Sequence, residues 1–232
     1  MKTSNIIITA FAILIVGAVF FLFADSKKHK EEEKNMISYK EYILPSFKVI
    51  AAEAGSDIHV DRSDSNVMRV EYVKGIKIPA KLYEVTHDTL HVYYGFRMFI
   101  KCKQISQIVG ENHLWINVSH FEPDSLTVKL TGGRFIYNSD NAKKYTVNQK
   151  KYNITIIAIG SAFVELNNSK FGNLTIKSNN AFVNNYCETS RLNAAITNYS
   201  RLYSKDKNGV IAIEKDTNSN VFIDDNNYSA NR

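Results

Sequence analysis

Apolar and polar residues alternate along most of this chain, beginning near residue 47. The segments VMRVEY at 67–72 and NITIIAI at 153–159 show the pattern clearly, and similar short runs recur up to residue 223. Alternation with a period of two is typical of β-strands with one buried face, and no helical period competes with it there. The pattern therefore predicts an all-β fold from residue 44 to the end of the chain.

The last seventy residues repeat a four-residue pattern. SAFV at 161–164 returns as NAFV at 180–183, as SRLY at 200–203 and as NVFI at 220–223. The large apolar residues stand at 163, 182, 202 and 221, and a second series stands at Leu174, Leu192 and Ile211. A fixed period with short strands predicts a parallel β-helix, or solenoid, with about 19–20 residues per turn. We expect Phe163, Phe182 and Leu202 to stack in one inward column, and the second series to form another.

Asparagine supplies most of the predicted corners between these strands. The chain has only 10 Gly and 3 Pro, whereas Asn pairs occur at 167–168 and 179–180 and single Asn residues at 198 and 218. Asn satisfies backbone groups locally in turns, and stacked Asn side chains form amide ladders in β-structure. We expect such ladders along the corners.

The N-terminal segment is a separate hydrophobic element. Residues 6–24, IIITAFAILIVGAVFFLFA, contain no charge and no Pro. As a helix this run is about 28 Å long, close to the hydrocarbon thickness of a bilayer. A cleaved signal peptide and an uncleaved signal-anchor both fit, and the length of the run favours the anchor. We therefore divide the chain into a signal-anchor or signal peptide at 1–24, a charged linker at 25–43 and a β-solenoid head domain at 44–232.

The flanking charges leave the orientation in the membrane open. Lys27, Lys28 and Lys30 follow the apolar run, and the positive-inside rule would keep them cytoplasmic. The strand-rich domain is instead typical of exported proteins. We expect a protein of the cell envelope, either anchored in the inner membrane with its domain in the periplasm or exported after signal cleavage.

Charge and cysteine content exclude several classes of function. The net charge of +6 is spread along the chain, whereas a nucleic-acid surface gathers Lys and Arg in a patch, so no nucleic-acid partner is expected. Cys102 and Cys187 are far apart in sequence and belong to no metal or redox motif. We interpret them as small apolar residues in strands, with a disulfide as the alternative in an oxidising compartment.

Candidate catalytic groups do not converge. His87 and His91 have the spacing of a helical zinc pair, but four residues of a strand span about 13 Å, too far for one ion. The carboxylates in the repeats are out of register with the 19–20-residue period; these are Glu165, Glu188, Asp206 and Glu214. The sequence therefore predicts no catalytic residue, no metal site and no cofactor, and the chain is interpreted as not an enzyme.

Tyrosines among Asn and Lys are the remaining candidates for a binding face. Tyr paired with Asn can stack on and hydrogen-bond a glycan or a protein partner. The alternative is that Tyr simply favours strands. Within the repeats the candidates are Tyr186, Tyr199 and Tyr203, and Tyr137 belongs to the wider set of tyrosines expected to face outward.

Several segments, taken in order, resemble one known family. They are LPSFKVI at 44–50, DIHV at 57–60 followed by VMRVE at 67–71, DTLHV at 88–92, INV at 116–118, LTV at 126–128 and the pair Gly132-Gly133. In this order they resemble the putative auto-transporter adhesin, head GIN domain family (the DUF2807 type), common in the envelopes of Bacteroidetes. Members often have Gly-Ser-Gly corners and a lipoprotein signal, whereas this chain has Asn corners and a plain apolar segment.

The resemblance implies a β-helical head domain in which residues 57–60 and 67–71 form a hairpin-like pair. It also implies a non-catalytic adhesion or scaffold role, tethered to the membrane by the N-terminal helix, with a glycan or an envelope protein as partner. Because parallel β-helices include polysaccharide lyases and glycosidases, a carbohydrate-active enzyme remains an alternative. An envelope sensing or signalling component is the other.

Overall fold

The structure, a computed structural model, describes residues 15–23, 25–27, 36–93, 95–111, 113–121, 123–139, 152–205 and 209–224. The chain divides into two compact units, one made of residues 1–39 and 71–77 and the other of residues 40–70 and 78–232. In the first unit, residues 15–23 and 25–27 are helical, and the backbone N–H of Lys74 donates to the carbonyl of Met36 at 2.7 Å. The other residues of the predicted N-terminal helix, 6–14 and 24, lie outside the described range. Among the described residues, no helix combines the length and hydrophobicity required of a membrane span.

The described residues form nineteen strands, and the alternating pattern that predicts them is visible in their burial. The strands are β1 Ile37–Ile43, β2 Val49–Ala52, β3 Asp57–Arg62, β4 Val67–Val73, β5 Tyr83–Thr86, β6 Thr89–Val92, β7 Arg97–Cys102, β8 Gln107–Gly110, β9 Trp115–Ser119, β10 Ser125–Thr131, β11 Arg134–Asn138, β12 Tyr152–Ile159, β13 Phe163–Asn167, β14 Lys170–Asn179, β15 Phe182–Asn185, β16 Glu188–Thr197, β17 Arg201–Ser204, β18 Val210–Lys215 and β19 Asn220–Ile223.

The strands form two large, mostly parallel sheets, so the all-β prediction is confirmed. The first sheet has ten strands in the order β1-β4-β7-β3-β9-β11-β13-β15-β17-β19, and the second has nine in the order β18-β16-β14-β12-β10-β8-β2-β6-β5. We call a strand of the second sheet together with the following strand of the first sheet a rung. From β8–β9 to β18–β19, each rung pairs in parallel with the next. The pair β5–β6 is an antiparallel hairpin.

The strand register overturns one of the two predicted columns. In the first sheet Val164 pairs with Val183, Val183 with Leu202, and Leu202 with Val221. Val164, Val183 and Leu202 are fully buried. Phe163 and Phe182 belong to the neighbouring, outward column. The expected column of Phe163, Phe182 and Leu202 is therefore wrong, because a step of 20 residues between strands that repeat every 19 switches to the other face of the sheet.

The second predicted column is confirmed. Ile154 pairs with Leu174, Leu174 with Leu192 and Leu192 with Ile211 in the second sheet. Amide pairs also form at neighbouring rungs, since Asn198 Nδ2 donates to Asn179 Oδ1 at 3.1 Å. The corner residue Asn198 has φ of 53°, in the left-handed region that Asn tolerates better than most residues.

The first rungs are not in sequence order. The rung β2–β3 lies between β6–β7 and β8–β9, because β2 pairs with both β6 and β8 and β3 pairs with both β7 and β9. The expected hairpin-like pairing of 57–60 with 67–71 is therefore wrong, as β7 separates β3 from β4. The connection from β7 to β8 passes over this inserted rung, and the backbone N–H of Ser106 donates to the carbonyl of Lys48 at 2.8 Å.

Two further expectations differ from the structure. The strand β1 occupies 37–43, which the sequence analysis places at the end of the charged linker, so β-structure begins earlier than expected. This strand contains Lys40 and Glu41 between its aromatic and β-branched residues, so its sequence resembles the charged linker that precedes it. Tyr137, expected to face outward, is fully buried beside Phe171, and its hydroxyl donates to the carbonyl of Phe121. It shares an inward face of β11 with Phe135.

Candidate binding face

The outward side of the first sheet carries a continuous column of aromatic and charged residues. Strand register places one residue of this column on each rung from β7 to β19. In spatial order these are Arg97, Asp57, Trp115, Arg134, Phe163, Phe182, Arg201 and Asn220. We call this set the outer column. Adjacent members are about 4.8 Å apart along the sheet, the spacing between neighbouring strands.

Arginine side chains lie against aromatic rings within the outer column. The Arg134 guanidinium carbon is 5.0 Å from the ring centroid of Trp115 and 5.0 Å from that of Phe163. The Arg201 guanidinium carbon is 5.5 Å from the centroid of Phe182. These distances are within the range of cation–π attraction, so each arginine is held extended along the face.

The two arginines differ in their polar partners. Arg134 Nη2 is 3.5 Å from Glu165 Oε2, and Glu165 Oε1 accepts a hydrogen bond from Asn167 Nδ2 at 2.8 Å. Arg201, in the part of the chain that the structure describes, has no ion pair or hydrogen bond through its guanidinium. Its charge therefore lies beside the ring of Phe182, with no counter-ion among the described residues.

Large hydrophobic side chains remain accessible on this side of the sheet. Trp115 is 47% exposed, Phe182 42%, Tyr186 45% and Phe222 59%. Scattered exposed hydrophobic residues are normal in soluble domains, but four on one face of one sheet form a patch of the kind that marks interaction sites.

Two of the three tyrosines predicted for a binding face meet here. The rings of Tyr186 and Tyr203 are tilted against each other with centroids 5.5 Å apart. The Tyr203 hydroxyl donates to Asp224 Oδ2 at 3.2 Å, and partial burial together with this hydrogen bond raises the pKa of Tyr203. Tyr199 lies in the corner before β17, whereas Tyr186 follows β15, so Tyr199 does not join them.

Sequence reasoning missed the outer column itself. The sequence pattern places Phe163 and Phe182 in the core and does not distinguish Trp115, Arg134 and Arg201 from other surface residues. The signal that identifies it is the strict step of 19 from 163 to 182, 201 and 220, which the register confirms.

Three of the four repeat carboxylates lie within the described residues, and the structure places them on three different strands. Glu165 lies on β13 of the first sheet, while Glu188 and Glu214 lie on β16 and β18 of the second. Glu188 pairs with Lys170 at 2.9 Å. Asp206 is outside the described residues.

Two other glutamates line one hollow beside strands β2 and β8. Glu53 and Glu111 directly follow the paired strands β2 and β8, and the backbone N–H of Glu111 donates to the carbonyl of Ala52 at 3.4 Å. Both line a hollow of about 170 Å³ together with His91 and Tyr93. His87 is not part of it, because it lies in the β5–β6 turn with φ of 48°.

Both cysteines are free and buried, consistent with their interpretation as small apolar residues. Burial is the main cause that raises the pKa of each thiol to about 12. Neither thiol is therefore a nucleophile near neutral pH.

Comparison with known proteins finds similarity only among solved structures. No family model matches the chain, and no curated protein matches it. A putative adhesin from Bacteroides fragilis is 12% identical with a TM-score of 0.45, over 81% of this chain and 96% of that one. A putative adhesin from Parabacteroides distasonis is 11% identical with a TM-score of 0.45, over 81% and 96%. A putative lipid binding protein from the same species is 11% identical with a TM-score of 0.43, over 81% and 94%. At these values we draw neither fold nor function from the similarity.

Proposed function

We propose that this chain is a non-catalytic module of the cell envelope, built as a parallel β-solenoid and tethered to the membrane by residues 6–24. The rung-to-rung parallel register supports the solenoid, and the uncharged N-terminal run supports the tether. The division into 1–24, 25–43 and 44–232 and the periplasmic placement belong to this proposal. Its role is adhesion or scaffolding.

The partner we propose is an extended glycan that carries acidic groups. The observation that carries this is the outer column, in which Arg201 lies beside the exposed ring of Phe182 and has no ion-pair partner among the residues that the structure describes. The outer column presents one side chain per rung at a constant spacing along the sheet, and an extended polymer can contact several of them at once. Aromatic rings provide stacking area, and a guanidinium binds a carboxylate or sulfate with two parallel hydrogen bonds.

The chain offers its own probe of this face, because Trp115 is its only tryptophan and belongs to the outer column. The full-length protein in a neutral detergent is titrated with polygalacturonate and with neutral dextran, and Trp115 emission is recorded. We expect a saturable change with the acidic polymer and at least a tenfold weaker one for Arg201→Ala. Arg191→Ala is the matched control, since Arg191 is exposed on the other sheet.

Equal affinity of the Arg201→Ala and Arg191→Ala variants would overturn the assignment of this face. Binding of neutral and acidic polymers alike would contradict the acidic ligand. If neither polymer binds but Phe182→Ala reduces recovery of a protein from envelope extracts, the partner is a polypeptide and the glycan proposal fails.

A second candidate function, a carbohydrate-active enzyme, rests on Glu53 and Glu111. Neighbouring parallel strands place these residues about 5 Å apart at the backbone, and two carboxylates separated by about 5–10 Å are the usual equipment of glycosidases. The test is release of reducing ends from envelope polysaccharides. Turnover that Glu53→Gln and Glu111→Gln each abolish would establish the enzyme, and turnover unaffected by both would reject this site.

A further inference from the structure

A second hollow lies where the connection from β7 to β8 crosses the inserted rung. None of its lining residues belongs to the outer column. The hollow has a volume of about 270 Å³. Lys48, which precedes β2, and Arg62, which ends β3, contribute to its wall. The remaining wall comes from residues 103–106 of the crossing connection and from the corner between β9 and β10.

The floor of this hollow is fixed by packing and backbone hydrogen bonds. Ile105 and Phe121 are each 3% exposed, and the Phe121 carbonyl accepts the hydrogen bond of the buried Tyr137. The Ser106 backbone N–H and hydroxyl both donate to the Lys48 carbonyl, at 2.8 and 3.3 Å. The crossing connection is therefore held in one place, and the polar groups around it are presented from rigid elements.

The described residues around the hollow carry more positive than negative charge. They include the cations Lys48, Arg62 and Lys103 and one acid, Asp124. Over the described ranges of the chain, the structure gives none of these three cations an ion pair or a side-chain hydrogen bond. Three like charges around one small hollow repel one another, and an anion bound among them would relieve that repulsion.

We infer that this hollow is a binding site for a phosphate group. Arg62 supplies a planar fork for two phosphate oxygens, and Lys48 and Lys103 supply compact charges on either side. Ser125 and Gln104 add hydroxyl and amide donors at the rim. The volume suits a phosphate with the few atoms next to it, so the source is either free phosphate or the headgroup of a phospholipid. The site is independent of the outer column and of the proposed glycan.

The test is calorimetric titration of the full-length protein in maltoside micelles and chloride buffer. Two probes distinguish the sources: inorganic phosphate, and glycerophosphoglycerol as a phospholipid headgroup without acyl chains. We expect saturable binding of at least one probe, with at least a tenfold weaker affinity for Arg62→Gln and for Lys103→Gln. Lys129→Gln is the matched control, because it removes the same charge from an exposed position on β10.

Each outcome decides the question. Binding of glycerophosphoglycerol but not phosphate supports the site with a lipid source, and the reverse supports it with a soluble one. Absence of saturable binding for both probes overturns it. So does an equal loss of affinity in Lys129→Gln, which would make the effect one of net charge. Circular dichroism checks the fold of each variant, and Lys103, in the exposed connection, provides the variant least able to disturb it.

Discussion

Asn185 and Ser204 lie on neighbouring rungs inside the protein, and Asn185 Nδ2 donates a hydrogen bond to Ser204 Oγ at 3.0 Å. Both are fully buried, in a column that Leu166 occupies one rung earlier. Asn185 Oδ1 also accepts from the Cys187 backbone N–H at 3.1 Å. This amide therefore satisfies both a side chain and the backbone at the point where the chain leaves β15.

We predict that Asn185→Ala lowers the free energy of unfolding by about 1–3 kcal/mol, because it leaves the Cys187 N–H buried without a partner. Ser204→Ala should cost less, since only one of the contacts of Asn185 is lost. The double variant should cost less than the sum of the two, because the pair interacts directly. Urea unfolding of the four proteins measures this, and strict additivity would contradict the coupling.

The corrected register makes a second prediction about stability. Leu202 is fully buried, and Leu202→Ala should lower the free energy of unfolding by about 2–5 kcal/mol. Phe182 is 42% exposed, so Phe182→Ala should cost about 1 kcal/mol or less despite removing a larger side chain. Thermal or urea unfolding compares them. If Phe182→Ala lowered the free energy of unfolding more than Leu202→Ala, Phe182 would be a core residue and the column of Phe163, Phe182 and Leu202 predicted from the sequence would be correct.

Gly55 and Gly133 both have positive φ, but only at Gly133 would an added β-carbon also clash with a neighbouring atom. Gly55 has φ of 83° and open space around its α-carbon, whereas a β-carbon on Gly133 (φ 76°) would lie 2.6 Å from the Leu114 carbonyl oxygen. Gly55→Ala should cost about 1–2 kcal/mol from the left-handed backbone alone. Gly133→Ala should cost about 1–3 kcal/mol more, as overpacking does. Equal losses in unfolding free energy would show that Leu114 moves aside freely.

The raised pKa values of the two buried thiols lead to predictions about their reactivity and about the stability of the protein at alkaline pH. With pKa values of about 12, roughly one native thiol in ten thousand is ionised at pH 8, so Cys102 and Cys187 should react with a disulfide reagent only after unfolding. Their folded pKa values are raised, so the stability they contribute is complete below their ordinary pKa of 9.0. It is lost as pH rises from there towards about 12.

The double variant Cys102→Ala, Cys187→Ala should therefore lose less stability than the natural chain between pH 9 and pH 10.5. Its unfolding in urea at several pH values is the measurement, with each protein compared with itself at pH 8. Identical pH profiles would contradict the burial of the thiols.

The sequence predicts the strands and one column of this fold because their residues recur locally. Leu174, Leu192 and Ile211 identify a column because their spacing of 18 and 19 residues equals the step between the paired strands. Phe182 and Leu202 mislead because apolar residues occupy both faces of β15 and β17, and residue size does not say which face is buried. The hydrogen-bond register does, and it follows from the whole sheet.

The inserted rung and the hollow beside it could not be predicted. Ile50 pairs with Leu90 and with Ile108, and no repeated spacing marks such distant partners. Lys48, Arg62 and Lys103 are unremarkable in the sequence and meet only through that insertion. Tyr186 and Tyr203 are 17 residues apart and do not occupy equivalent positions, since Tyr203 pairs with Asn184, so the repeat does not predict their contact. Trp115 and Arg201 become candidates for a binding face only once the register places them in the outer column.

The inserted rung also sets an order in which the protein can assemble. Strands β2 and β3 pair on one side with β6 and β7 and on the other with β8 and β9, so residues 49–62 have neighbours on both sides only once the chain extends to residue 119. After that point each new rung pairs with the one just completed, at a sequence distance of about twenty residues except for the longer step from β10–β11 to β12–β13. Folding should then be slow at its start, where loop closure is long, and rapid afterwards in a single direction along the chain.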